Sequence, residues 1–155
     1  SILDKTCFDF HKLMELVISE FKVPLENKDI DIKIDVPLDA PVYGDEKRLK
    51  QCFINLITNS ISYTDQNGNI KIKYFEEDNN IFITVSDNGC GISEEDLPHI
   101  FERFFRADKS RIHKTGSMGI GLSITKAIIE AHGGKIYAES KLETGSKFTI
   151  ILPVT

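Results

Sequence analysis

The chain has 155 residues, 41% hydrophobic and 28% charged, with a formal net charge of −5. That length suits one domain with a sizeable core, the acidic balance argues against duplex nucleic acid as a partner, and no apolar run approaches the ~20 residues of a membrane span. Residues 1–10 mix Asp, Lys and aromatics instead of forming a signal peptide, and three cysteines without paired spacing, Cys7, Cys52 and Cys90, read as reduced thiols of a cytosolic compartment.

From Phe8 to Lys28, Leu13, Leu16, Val17, Ile18 and Phe21 recur at helical spacing, with Pro24 set to disturb the last turns. Asp29 to Val36 alternates strictly and puts Ile30, Ile32, Ile34 and Val36 on one face of a strand. Asp45 is placed to cap a helix running to about Tyr63. After the turn residues Asp65 to Gly68, Ile70–Phe75 and Ile81–Ser86 read as a hairpin joined through 76–80. Ser93 opens a short helix with an acidic first turn. Met118 to His132 forms the last long helix, stopped by Gly133 and Gly134, and Lys135–Glu139 and Lys147–Leu152 finish as strands. Five strands and three long helices in this order predict an α+β, two-layer sandwich with helices over one face of the sheet.

Three motifs carry chemistry. On the 45–63 helix, Arg48, Gln51, Asn55, Asn59 and Ser62 form a polar stripe beside Leu49, Phe53, Leu56, Ile57 and Ser60. Asn is a poor helix former, so two on one stripe call for a reason: neutral oxygen ligands for a hard cation such as Mg²⁺ that also carries phosphate. Asp87 follows a strand, where its carboxylate can accept from the exocyclic amino group of a base. Gly89 and Gly91 would let backbone lie close to the ring, with Ile92 packing nearby. Cys90 is expected to point out of such a pocket. Gly119, Ile120, Gly121 and Leu122 open a helix, whose free N–H groups and positive dipole end favour phosphate. Leu122 stands where a P-loop needs lysine. Residues 103–114 hold five cations against one acid, Asp108, and suit a lid over polyphosphate anchored by Phe101, Phe104 and Phe105. The set points to an adenine nucleotide with a metal ion.

In these motifs the chain resembles the catalytic ATP-binding domain of bacterial sensor histidine kinases, in the superfamily of gyrase, MutL and the heat-shock chaperone ATPases. Gln51 to Ser60 resembles the family's N box, Asp87 to Ile92 its G1 box, Phe101 to Arg106 its F box and Gly116 to Leu122 its G2 box. The resemblance implies a Bergerat-type fold: a mixed five-stranded sheet under about three helices, with a flexible ATP lid. It implies ATP and Mg²⁺ as ligands, with Asn59, helped by Asn55, holding the metal and Asp87 recognising adenine. Tyr63 would pack against the base and Arg106 would reach the terminal phosphates, making Asn55 and Arg106 the catalytic candidates. Two positions depart from the pattern: Ser62 stands where the family usually has a phosphate-contacting lysine, and Met118 where a small polar residue is common. Lys109, Arg111 or Lys114 are candidates to replace the lysine.

None of the four histidines, His11, His99, His113 and His132, lies in a phosphoacceptor context. His132 reads instead as a helix-end residue favoured by the dipole. The resemblance therefore implies that residues 1–155 are one catalytic domain of a longer, cytoplasmic or membrane-anchored kinase. Its partners would be a dimerisation and histidine-phosphotransfer domain and, through it, a response regulator; the isolated domain would be a monomer. Gyrase-like hydrolases carry a glutamate base about where Asn55 stands, and an amide cannot take a proton at neutral pH. That favours a kinase over a hydrolysing switch, while a nucleotide-binding-only module stays open.

Overall fold

The computed structural model describes residues 2–105 and 118–155, the side chains of 118–120 excepted. Its sheet runs in the order β2 (Asp31–Asp35), β4 (Asn69–Glu77), β5 (Asn80–Asp87), β7 (Gly145–Pro153), β6 (Lys135–Lys141), after a short β1 (Thr6–Asp9) and a β3 (Pro41–Gly44) that pair separately. Only β2 and β4 are parallel, so the sheet is mixed. The long helices are α1 (Phe10–Ser19), α3 (Glu46–Tyr63) and α4 (Met118–Ala131). α3 packs on β5, α4 on β6 and on α3, and α1 on α3. The expected five-stranded α+β sandwich is the fold observed.

The core follows from the strand period. Ile70, Ile72 and Tyr74 of β4, Ile81, Ile83 and Val85 of β5, and Phe148, Ile150 and Leu152 of β7 are buried beneath the helices. α1 contributes Phe10, Leu13, Met14 and Val17 to the same cluster. Phe75 and Phe82 point to the opposite face and stack at 4.9 Å.

Several boundaries differ from expectation. The first helix is broken: α1 ends at Ser19 and a short α2 (Lys22–Asn27) restarts with Pro24 in its first turn. A proline there forgoes an N–H that has no intrahelical partner anyway, whereas deeper in one continuous helix it would break the ladder. Phe8 belongs to β1 instead. The 76–80 link shrinks to a two-residue turn, because Asp78 and Asn79 both adopt positive φ, 51° and 62°. That geometry matches the twist of the strands it joins. Ser93 caps as expected, its Oγ accepting from the Asp96 N–H at 3.1 Å, but only a 3-10 turn over Leu97–His99 follows, since Pro98 supplies no N–H. α4 ends in the bond pattern its glycines allow, with Gly134 N–H donating to Ile129 O and Gly133 N–H to Glu130 O.

Candidate nucleotide site

The site is built around α3. Asp45 caps the helix, its carboxylate accepting from the Arg48 N–H at 3.2 Å. The Asp4 N–H, at 3.0 Å, is the largest of the influences that lower the Asp45 pKa. His132 fixes the same corner: buried at the end of α4, it accepts the Asp45 N–H at Nε2 (2.9 Å) and donates from Nδ1 to Ile128 O (2.8 Å). It is therefore a buried link between α4 and the start of α3 as well as a helix-end residue.

The two asparagines of the polar stripe stand in different environments. Asn55 reaches across to α4: its Nδ2 donates to Gly121 O at 3.1 Å and to Thr125 Oγ1 at 3.2 Å, while its Oδ1 accepts from Gln51 Nε2 at 2.9 Å. Thr125 Oγ1 in turn donates to Gly121 O at 2.8 Å. Asn55 thus fixes the first turn of α4. Asn59, one turn further on, is 4% exposed, and its amide makes no hydrogen bond to another described residue. Among the described residues no group of three or more His, Cys, Asp or Glu could hold a metal ion. A divalent cation here would depend on amide oxygens, water and phosphate, a set that suits Mg²⁺, and Asn59 fits it. Cys52 is not a reactive neighbour, because burial pushes its thiol up to about 12.

Asp87 ends β5 beneath the C-terminal half of α3, paired with Ser146 of β7. Burial is the largest influence on its carboxyl and raises the pKa. The Gly89 N–H, at 2.9 Å, the Ser146 N–H and the Ser60 hydroxyl draw it back. Ser60 Oγ is fully enclosed and makes no hydrogen bond of ordinary geometry of its own. Tyr63 is 5% exposed, and burial raises its phenol pKa.

The glycines after Asp87 have a packing role that the motif alone does not announce. A Cβ on Gly89 would collide with the Tyr63 carbonyl, and one on Gly91, at φ +75°, with the Lys141 carbonyl. Their missing side chains admit protein backbone. The loop is knitted on both sides: Cys90 N–H donates to Tyr63 O at 2.9 Å, Glu143 N–H to Cys90 O at 2.8 Å, and Ile92 N–H to Ser140 Oγ at 2.7 Å. A Cβ on Gly145 would meet the Asp87 carbonyl. Cys90 is buried in the core, and Ile92 is 3% exposed.

Gly119, Ile120, Gly121 and Leu122 occupy the first turns of α4, as expected. Leu122 is fully buried. At Gly121 an added Cβ would meet nothing among the described residues closer than Asn55 Cγ at 3.6 Å. Arg106, Lys109, Arg111 and Lys114 lie outside the described residues, as does most of the expected lid. Of its three aromatic anchors, Phe101 packs edge-on against Phe148 and Phe105 stacks on His99. Phe104 is 68% exposed with φ 65° and lies under the Arg103 guanidinium, outside the core formed by the described residues. Ser62 turns back on its own helix, donating to Thr58 O at 3.0 Å.

The three motifs thus meet at α3, through Asn55 to Gly121, Ser60 toward Asp87, and Tyr63 to Cys90. Sequence reasoning did not identify Gly145, Ser146, Thr125 or Lys28 as parts of this framework. Their contacts form only when distant segments pack, so no local pattern announces them.

Residues 44–155 match the family model described as histidine kinase-, DNA gyrase B-, and HSP90-like ATPase. The chain belongs to that ATPase family. It is 40% identical over 148 residues to the sensor-like histidine kinase SenX3 of Mycobacterium tuberculosis, covering 96% of this chain and 36% of that one. It also resembles the catalytic domain of the histidine kinase ThkA, with 32% identity and a TM-score of 0.84 over 98% of this chain and 97% of that one. ThkA in complex with the response regulator TrrA matches at 34% identity and TM-score 0.82, over 99% of this chain and 42% of that one. The chain spans about a third of the length of the curated relatives it matches.

Proposed function

We propose that this chain is the part of a sensor histidine kinase that binds Mg·ATP and presents its γ-phosphoryl group to a histidine on a separate helical domain. The observation that carries the reading is the convergence on α3 of Asn59, buried with no hydrogen-bond partner for its amide among the described residues, Asp87, a buried carboxylate, and Gly121, where an added Cβ would meet Asn55 only at ordinary contact distance. Asp87 accepts from the adenine amino group, with Tyr63, Gly89, Gly91 and Ile92 shaping the wall of the base pocket. Asn59, with Asn55, holds Mg²⁺, which when bound offsets phosphate charge. The N–H groups at Gly119 and Ile120, free in the first turn of α4, face the phosphates at the positive end of its dipole, and Gly121 and Leu122 complete that turn. Asn55 has a further duty, since it fixes that turn of α4. Arg106 steadies the terminal phosphates. Catalysis is then positioning and electrostatic stabilisation, and the nucleophile comes from the acceptor domain.

On this reading residues 1–155 are one catalytic domain on the cytoplasmic side, and acceptor and sensor domains lie elsewhere in the parent protein. A response regulator takes the phosphoryl group from the acceptor histidine, as the ThkA–TrrA complex suggests. Among the described residues no helix is long and apolar enough to cross a membrane. The sheet edges β2 and β6 carry Asp31, Lys33, Asp35, Lys135, Glu139 and Lys141, charges that oppose edge pairing and favour a monomer. The test is γ-labelled ATP with Mg²⁺, this chain and the parent's helical histidine domain. Label is expected on the acceptor histidine and not on this chain alone. Stable stoichiometric label on the isolated chain, or none on the acceptor, would count against the reading.

A further inference from the structure

Lys28 follows α2, yet its ammonium serves a different helix. Its Nζ donates to Ile61 O at 2.7 Å, to Thr64 O at 3.0 Å and, at the limit of bonding, to Ser62 O at 3.5 Å. These carbonyls belong to the C-terminal end of α3, where intrahelical N–H partners run out and the helix dipole is negative. An ammonium with three donors matches such a cluster in both charge and number. The Lys28 backbone joins the same clamp, its carbonyl accepting the Asn67 N–H at 2.9 Å, while Gly68 O accepts the Asp31 N–H at 3.0 Å.

The one carbonyl of this turn that Lys28 leaves alone is that of Tyr63, which accepts the Cys90 N–H at 2.9 Å. Ile61 and Thr64 straddle Tyr63, so Lys28 holds the turn on one side and the loop after Asp87 holds it on the other. Gly89 sits so close to the Tyr63 carbonyl that a Cβ would overlap it. The Gly89 N–H in turn donates to Asp87 Oδ1 at 2.9 Å. An unbroken run of contacts therefore joins Lys28 to the carboxylate, and its close packing leaves no slack to absorb a shift of Tyr63.

We infer that Lys28 is a positioning residue for the nucleotide base, acting through the last turn of α3 on Tyr63 and Asp87. The inference rests on the base pocket proposed above. The experiment uses the 155-residue chain with ADP in the absence of Mg²⁺, so that the metal contacts stay out of the reading. ADP affinity is measured by calorimetry for Lys28→Met, Lys28→Arg and Asp87→Asn, at a temperature where each is folded. Lys28→Met should bind about tenfold more weakly, the scale of a lost cation at a helix terminus with its charged hydrogen bonds. Lys28→Arg should recover most of that. Hydrogen exchange of Lys28→Met should accelerate at the Thr64 and Cys90 amides and stay unchanged along the β5–β7 ladder. If Lys28→Met does not fold, Lys28→Gln carries the same comparison. Wild-type ADP affinity in the Lys28 variants, alongside weakened binding in Asp87→Asn, overturns the inference and leaves the pocket standing. Acceleration spread evenly over all amides also overturns it, because that marks a general structural role. Unchanged binding in Asp87→Asn overturns the pocket itself.

Discussion

The two glycine clusters look alike as sequence and are used in opposite ways. After Asp87, Gly89 and Gly91 are demanded by the protein's own backbone, since a side chain at either would overlap a carbonyl. At the start of α4, an added Cβ on Gly121 would meet nothing among the described residues nearer than Asn55 at 3.6 Å, an ordinary contact. Folding explains the first cluster. It does not explain the glycine at 121, in a helix where alanine would be more stable by about 1 kcal/mol. On the proposed function, a glycine that gives up helix stability with no packing reason among the described residues is where the phosphates come close. On that proposal the first cluster builds the wall of the site and the second leaves room for the ligand.

The comparison can be broken most directly at Gly91. Gly91→Ala forces a side chain into positive φ and onto the Lys141 carbonyl, and should cost more than about 3 kcal/mol, in the tail reserved for backbone strain and overpacking. Urea denaturation reads this, and a near-neutral result would show that the loop is slack. Asp87→Asn comes next. The amide can present a donor to a donor, so adenine nucleotide affinity should fall roughly five- to a hundredfold, the worth of about 1–3 kcal/mol for one unpaired buried group. Calorimetry with ATP and GTP decides whether discrimination goes with it. Gly121→Ala should do the reverse of Gly91→Ala: stability unchanged or higher by up to about 1 kcal/mol, with Mg·ATP binding weakened about tenfold by one methyl set between the helix and the phosphates. Retained binding in that variant would remove the distinction between the clusters.

The smallest expected effect is on pH dependence, and it has two opposed parts. The folded-state pKa of Asp87 is raised, so its contribution to stability is full below the unfolded value and is lost as pH rises through the folded one. The folded-state pKa of Asp45 is lowered, so its contribution is present above the unfolded value and is lost as pH falls through the folded one. On the proposed function, base recognition needs Asp87 ionised. ADP affinity should therefore begin to fall on acidification at a pH above the ordinary aspartate value of 3.8, and Asp87→Asn should flatten that part of the profile. An ADP profile identical in the two proteins would show that Asp87 does not titrate in contact with the base.

Much of this was legible in the chain because it is written locally. α3 begins after Asp45 and ends at Tyr63, as a cap and a 3.6-residue period require. The hairpin is legible too, but three residues short at its turn end, because Glu76, Glu77, Asp78, Asn79 and Asn80 look like loop residues and only their paired register makes Glu76, Glu77 and Asn80 strand. The β1–β3 ribbon was not visible: each strand has four residues, and their partners lie 32 or more positions apart. The site residues of the motifs were readable as types. What the glycines touch was not, because Tyr63, Lys141 and Asp87 supply the opposing carbonyls from three other places in the chain. Lys28 and His132 escaped for the same reason: an ordinary surface cation and an ordinary helix-end histidine take on their roles only when α2, α3 and α4 are brought together.

The turn at Asp78–Asn79 has a practical consequence. It sits at the opposite end of β5 from Asp87, a distance of about 26 Å for eight residues of extended chain. Its two residues already adopt the conformation that Asn-Gly favours. A fluorophore, an affinity tag or a surface linkage inserted there would leave the nucleotide end of the sheet untouched. The molecule therefore carries its own mounting point, from which single-molecule or immobilised measurements of ATP binding could be made without disturbing what they report.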